Sequence, residues 1–215
     1  MIIGITGYAQ SGKDTVGNLL KNLLNINSMQ EYLDDFSIYT ARILGVSEIV
    51  KAAEKWEIAK FATPLKEVVN KLFSLPPDTD KTVQYSDTHT VRDLYQIVGT
   101  DIARKINPDI FVYKLFRSLD RSKSHIITDV RFPNEAEAIR NHGGIIIKKE
   151  SSKIPENLHE SESYVDSIEA DYTIPWMNVK DDIFEVFEME EKIIEYLEKH
   201  ILIDKKFNYK NINND

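Results

Sequence analysis

The feature that most limits what this chain can become is a nine-residue stretch near its start, Gly7-Tyr8-Ala9-Gln10-Ser11-Gly12-Lys13-Asp14-Thr15. Before it stands MIIGIT, a short apolar and β-branched run of the kind that forms a buried parallel strand. After it, Val16, Leu19, Leu20, Leu23 and Leu24 recur at helical spacing. Strand, glycine turn and helix in that order make G-x-x-x-x-G-K an anion cradle. Its backbone N–H groups turn inward, and the positive end of the following helix adds to them. Gly7 and Gly12 let the backbone approach a phosphate without a Cβ in the way. Gln10, Ser11, Lys13, Asp14 and Thr15 complete the expected ATP-phosphate set, with Lys13 placed to meet a transferring phosphoryl group. A plain glycine turn with Asp14 capping the helix is the alternative; the strand before and the helix after weigh against it.

Position 14 departs from the general motif, which carries Ser or Thr there to bind Mg²⁺. Here the position is Asp14, and the hydroxyl comes only at Thr15. A carboxylate in the first helical turn suits the helix dipole, yet it repels phosphate unless a cation lies between them. Asp14 is therefore expected to contact Mg²⁺ directly or through water. A second carboxylate is wanted at the end of a neighbouring strand. Asp129, which closes the strand-like run His-Ile-Ile-Thr-Asp, is the candidate, in place of an ordinary strand-end turn residue. Arg131 follows two residues later, where open α/β sheets bind ligands and where a guanidinium can hold phosphate in two-pronged fashion.

Further runs read as alternating strands and helices: a strand at 56–61, a helix from Pro64, a helix over 91–106 opened by Thr90 and interrupted at Gly99, and a helix over 110–119. Then come a strand at 124–130, a helix over 134–142, strands at 145–149 and 171–174, and a helix over 181–200. This alternation predicts an α/β fold, a parallel sheet covered by helices on both faces. We read residues 1–203 as one domain with a helical insertion at about 25–55. Tyr32, Phe36, Tyr39 and Ile43, then Ile49, Val50 and Ala53, suggest two helical stretches there, broken near Gly45. Residues 74–90 read as an exposed loop, 151–170 as a polar, mobile segment, and 204–215 as a frayed tail.

With 215 residues, 42% of them hydrophobic, the chain can bury one sizeable α/β core. Its net charge of −8 argues against a nucleic acid polymer as partner, because such affinity comes from neutralising phosphates. It has no cysteine, which excludes disulfides, thiolate metal sites and a cysteine nucleophile. No apolar run is long enough to span a bilayer, and no basic leader precedes the first strand, so the expected compartment is the cytoplasm.

Five motifs occur in order: Gly-x₄-Gly-Lys-Asp-Thr, Phe61-Ala-Thr-Pro-Leu-Lys66, Val91-Arg92 with Gln96-x-x-Gly99-Thr100, Asp129-Val-Arg-Phe-Pro-Asn-Glu135, and His159-x-Ser-Glu162. Together they resemble the bacteriophage-type deoxynucleoside monophosphate kinases. The resemblance implies a P-loop, nucleoside-monophosphate-kinase-like fold and Mg²⁺-dependent transfer from ATP to a deoxynucleoside monophosphate, in bacterial host cytoplasm. By the same resemblance, Leu65, Lys66, Arg92, Gly99 and Thr100 would line the acceptor site within about 62–122. Asp129, Arg131 and Glu135 would stand between acceptor and donor, and Phe111 would stack on the acceptor base. Lys13, Asp129 and Arg131 form the expected catalytic set, Asp14, Thr15 and Asp129 the metal set. A homodimer is left open.

Two departures qualify the match. The lid-like segment 151–170 holds Lys153 and His159 but no arginine, leaving charge to Lys13, Arg131, Arg140 or Arg104 and the metal. After the last strand comes Ile174-Pro175-Trp176-Met177-Asn178, with Trp176 either a stacking residue or a core residue. Arg92 and Arg104 lie on the same expected helix and are candidates to face one anion, a solvated helix face being the alternative. A relative of dephospho-coenzyme A kinases, or a nucleotide-binding protein that has lost transfer, remain the alternative readings.

Overall fold

The computed structural model describes residues 1–35, 55–151, 160–176, 192–196 and 199. The helical stretches expected over 36–54, Lys153, His159, Met177-Asn178, most of the helix expected over 181–200 and the tail lie outside the described residues.

The elements run β1 (Ile2–Thr6), α1 (Lys13–Asp35), β2 (Trp56–Ala59), α2 (Ala62–Leu72), α3 (Val91–Gln96), a π-helical segment (Ile97–Arg104) and α4 (Ile110–Ser118). Then follow β3 (Ser124–Val130), α5 (Pro133–Asn141), β4 (Ile145–Lys149), α6 (Glu160–Ser163), a 3₁₀ turn (Val165–Ser167) and β5 (Tyr172–Ile174). The strands form one sheet in the order β2-β3-β1-β4-β5. Every pairing is parallel.

Side chains alternate between the faces of this sheet. On one side Ile3, Ile5, Ile126 and Ile147 pack with Val16, Leu20 and Leu24 of α1. On the other, Ile2, Ile127, Val130 and Ile146 pack with Val112 and Leu115 of α4 and with Ala136 and Ile139 of α5. Burial on both faces is why β1 reads as a near-continuous apolar run. Each fully buried Ile or Leu contributes about 1.5–3 kcal/mol relative to exposure. The result is the expected α/β class, a parallel sheet between helical layers in P-loop kinase-like form.

The chain leaves β1 for one edge of the sheet and later returns beside it through β3 and β4. Crevices at such reversals, outside the carboxyl ends of the strands, are where open α/β sheets take ligands. Here those ends carry Gly7–Gly12 after β1 and Asp129–Arg131 at β3. No helix among the described residues is long and apolar enough to cross a membrane.

Two expectations need correction. Residues 91–106 do not form one α-helix; beyond Gln96 the backbone widens into π geometry. Within that segment Gly99 lets α2 come close: a Cβ there would stand 2.6 Å from Leu65 Cδ2. The described part of 151–170 is docked, not loose. Val165 and Ile168 are buried, and so is Glu162. By contrast, Thr90 caps α3 as expected, in a reciprocal arrangement with Asp93.

Candidate functional site

The loop after β1 takes backbone conformations that explain its glycines. Gly7 has φ +146°, Gln10 +61° and Gly12 +88°. A Cβ on Gly7 would lie 2.4 Å from the carbonyl oxygen of Lys149, which is sheet backbone and cannot retreat. Gly7→Ala is expected to destabilise the fold by about 1–3 kcal/mol, read as a lowered urea midpoint. A Cβ on Gly12 would meet nothing within 4 Å, so the loop encloses open space there. The Ser11 hydroxyl on this loop is buried and lacks a hydrogen-bond partner, as does that of Thr6 at the end of β1.

Lys13 is only 8% exposed. Its ammonium donates to the carbonyls of Gly7 (2.8 Å) and Tyr8 (2.5 Å), folding back on its own loop. Desolvation, then the charge of Arg131, pulls its pKa down to about 8; Glu162, Asp14 and Asp129 pull the other way. An ammonium so placed is short of negative charge, and a phosphate in the loop would supply it.

Asp14 leans from the first turn of α1 toward β3 and β2. Its Oδ1 accepts from the Thr128 hydroxyl at 2.6 Å and pairs with Lys60 Nζ at 2.7 Å, while the side chain stays 66% exposed. Burial would raise its pKa, but the hydrogen bonds from Lys60 and Thr128 and the charges of Lys60 and Lys13 hold it below the usual range. Asp129 uses both oxygens differently. Oδ1 accepts the N–H of Phe61 at 2.8 Å and Oδ2 that of Ala62 at 2.9 Å, which caps α2 from another strand. Burial pushes its carboxyl up against the pull of those bonds and of Arg131 and Lys60. Each oxygen keeps a free lone-pair direction for a further partner.

Arg131 pairs with Glu162 of α6 (3.2 Å). Four residues later, Asp166 accepts the Tyr8 hydroxyl (2.6 Å) and pairs with Lys148 (2.8 Å). The bond to Asp166, followed by burial, raises Tyr8 to about 12. The segment 160–168 thus grips both the phosphate loop and Arg131 through carboxylates.

Glu135 is 1% exposed. One oxygen takes the backbone N–H groups of Arg131 (2.8 Å) and Phe132 (3.1 Å), turning the chain into α5 behind Pro133. The other meets Arg104 at 2.5 Å. Burial raises the Glu135 pKa, and Arg104 opposes that. The Arg104 guanidinium also lies over the rings of Phe132 (3.9 Å) and Phe111 (5.0 Å). Phe111 is buried under that charge. Arg140 is taken up by the Glu169 carbonyl and Asp171.

The structure therefore brings Gly7, Gln10, Ser11, Gly12, Lys13, Asp14 and Thr15 together with Asp129 and Arg131 at the carboxyl ends of β1 and β3. Glu135 lies behind them, linked to Arg131 through its backbone. Leu65 and Gly99 pack on each other, with Thr100 next along the π segment. Arg92 and Arg104 do not share a target: Arg104 is committed to Glu135, and Arg92 acts electrostatically on Lys81. Trp176 is 44% exposed, which removes it from the core. Sequence reasoning missed Lys60, Lys81, Tyr8 and Asp166. A lysine ending a strand just before Phe-Ala-Thr-Pro could have marked Lys60; no local pattern marks the others.

No family model matches the chain. Over 143 residues it is 32% identical to a protein of Acanthamoeba polyphaga mimivirus named "Putative deoxynucleotide monophosphate kinase". The match takes in 56% of this chain and 74% of that protein. With that much of the relative shared, and with a phosphate loop built between β1 and α1, the chain belongs to the kinase family of that viral protein.

Proposed function

We propose that the protein transfers the γ-phosphoryl group of ATP to a deoxynucleoside 5′-monophosphate, giving the diphosphate and ADP. The observation that carries this reading is the place of Arg131. It follows Asp129 at the carboxyl end of β3, beside the phosphate loop, and its guanidinium is held by Glu162 at 3.2 Å. A guanidinium so placed can meet a phosphoryl group that passes from donor to acceptor. The name of the viral relative supports the nucleotide as acceptor.

Mg²⁺ fits the residues present. Among the described residues no group of three or more His, Asp or Glu could hold an ion alone. Mg²⁺ paired with a nucleotide needs only one or two carboxylates beside phosphate oxygens and waters. The exposed Asp14 carboxylate, the Thr15 hydroxyl and the free lone pairs of Asp129 would hold it. It would supply Lewis-acid neutralisation of the charge that develops in transfer.

The protein's own residues do the rest. Lys13 exchanges the Gly7 and Tyr8 carbonyls for a phosphate oxygen, and its pKa rises again. Arg131 exchanges Glu162 for the acceptor phosphate and orients it in line. Asp129 keeps the turn into α2, and so Lys66, in register with β3. Residues 160–168 cover the loop through Tyr8 and Asp166, which limits water at the reacting phosphate.

A coupled ADP-release assay against deoxy- and ribonucleoside monophosphates tests the reading, with dephospho-coenzyme A included. ADP release should depend on a deoxynucleoside monophosphate. Release only with dephospho-coenzyme A, or none above the ATP-only background, would overturn it.

A further inference from the structure

The carbonyl of Tyr8 ties the phosphate loop together. It accepts the Lys13 ammonium at 2.5 Å and the Ser11 N–H at 3.2 Å. Whatever fixes Tyr8 therefore also fixes where Lys13 rests. The loop backbone needs such support, because Gln10 sits in the left-handed region at φ +61°, a conformation that persists only where neighbours impose it. The Tyr8 ring is buried, and its hydroxyl donates to Asp166 Oδ2 at 2.6 Å. A phenol bonded to a carboxylate makes one of the stronger hydrogen bonds available to neutral side chains.

Asp166 is itself anchored outside the loop. Its other oxygen, Oδ1, pairs with Lys148 of β4 at 2.8 Å, and Lys148 stands opposite Thr6, the last residue of β1. The 3₁₀ turn that carries Asp166 is seated by buried Val165 within it and by buried Ile168 just after it. The Ser167 N–H closes that turn on the Tyr164 carbonyl at 3.0 Å. Those apolar anchors, with the pair between Glu162 and Arg131, already dock the segment. The bond from Tyr8 is thus not needed to hold residues 160–168 in place, and its effect falls on the loop.

We propose that Asp166 is a positioning residue for the phosphoryl donor: through the Tyr8 hydroxyl it holds the Tyr8 carbonyl, and so Lys13, where the ATP phosphates bind. The proposal rests on the nucleotide-kinase reading. Asp166 touches no reacting group. A loop already held in its binding form loses less freedom when the phosphates arrive, and one that must find this form on binding holds them more weakly. Glu162, four residues earlier, serves Arg131 and hence the acceptor side. The two arms of one segment are therefore separable by which KM they move.

The test compares the full chain with Tyr8→Phe, Asp166→Ala and the double variant. Tyr8→Phe keeps the buried ring and removes only the hydroxyl. With the monophosphate that wild type consumes fastest, each single variant should raise the KM for ATP about fivefold or more, while the acceptor KM stays within about twofold. The double variant should be no worse than the worse single one, because both remove the same bond. An ATP KM for Tyr8→Phe within about twofold of wild type, a matching rise in both KM values, or effects that multiply in the double variant would overturn the assignment. If wild type consumes no monophosphate, the kinase reading fails by itself. A non-hydrolysable ATP analogue is then titrated calorimetrically. Weakening of about fivefold or more by Tyr8→Phe supports the positioning role; unchanged binding, or no binding by wild type, refutes it.

Discussion

Replacing Lys13 by methionine is expected to end phosphoryl transfer and, at the same time, to stabilise the ligand-free protein. The two effects have one cause. Burial against the loop lowers the pKa of Lys13 from 10.5 to about 8. At pH 7 the ammonium is charged in both folded and unfolded chains, so the folded state carries a penalty of roughly 3 kcal/mol. Its bonds to the Gly7 and Tyr8 carbonyls offset part of this, leaving a net gain on the order of 2 kcal/mol for methionine. The sign with pH follows from the lowered pKa. Between about pH 8 and 10.5 the folded wild type has shed the proton while the unfolded chain still holds it. Wild-type stability therefore rises through that window, and the advantage of the variant shrinks. Urea unfolding of both proteins without ligand, at pH 7 and near pH 10, measures it. A variant less stable than wild type at pH 7 would contradict the argument, as would turnover above a tenth of wild type. Strain of this kind at a functional position is a common exchange of stability for activity.

Arg104→Met should have the largest effect on folding. It leaves Glu135, 1% exposed, without its charged partner. Breaking a buried pair from one side costs about 3–5 kcal/mol, and the two backbone N–H bonds to Glu135 place this case near the lower figure. Methionine still fills space between Phe111 and Phe132, so the loss is chiefly electrostatic. Burial already raises the Glu135 pKa, and losing Arg104 raises it further. An acid with a raised folded pKa loses its stabilising contribution as pH climbs through that value. The variant's deficit should therefore be larger at pH 8 than at pH 5, and a second change, Glu135→Gln, should restore part of it. An equal deficit at both pH values would assign the loss to packing.

What could be read from the sequence was what neighbours in sequence decide. β1, β3 and the loop after β1 are announced by β-branched runs and glycines, and Thr90 by its place just ahead of a helical run. What escaped depends on partners far along the chain. Helix α2 begins at Ala62, ahead of Pro64, because Asp129 on another strand takes the N–H groups that would otherwise be orphaned. The seat of Leu65 over Gly99 likewise joins residues far apart in the chain. Residues 160–168 looked too polar to dock, yet a few buried side chains and the bond from Tyr8 to Asp166 hold them. Lys60 has only its place just before Phe-Ala-Thr-Pro to mark it, since its pairing with Asp14 depends on the sheet order.

The register of β1 also governs when the phosphate loop comes into being. Ile3 lies opposite Ile126 on one side and Ile145 on the other, and Gly7 is pressed by the backbone of Lys149. Pairings across such sequence separations close late and slowly. During synthesis, a chain still short of residue 124 carries the whole Gly-x₄-Gly-Lys sequence with neither β3 nor β4 yet made to hold β1. A chain truncated there should fail to bind ATP. On the proposed function, nucleotide binding would then report on completed folding, and a ligand that associates only with that state would draw newly made chains toward it.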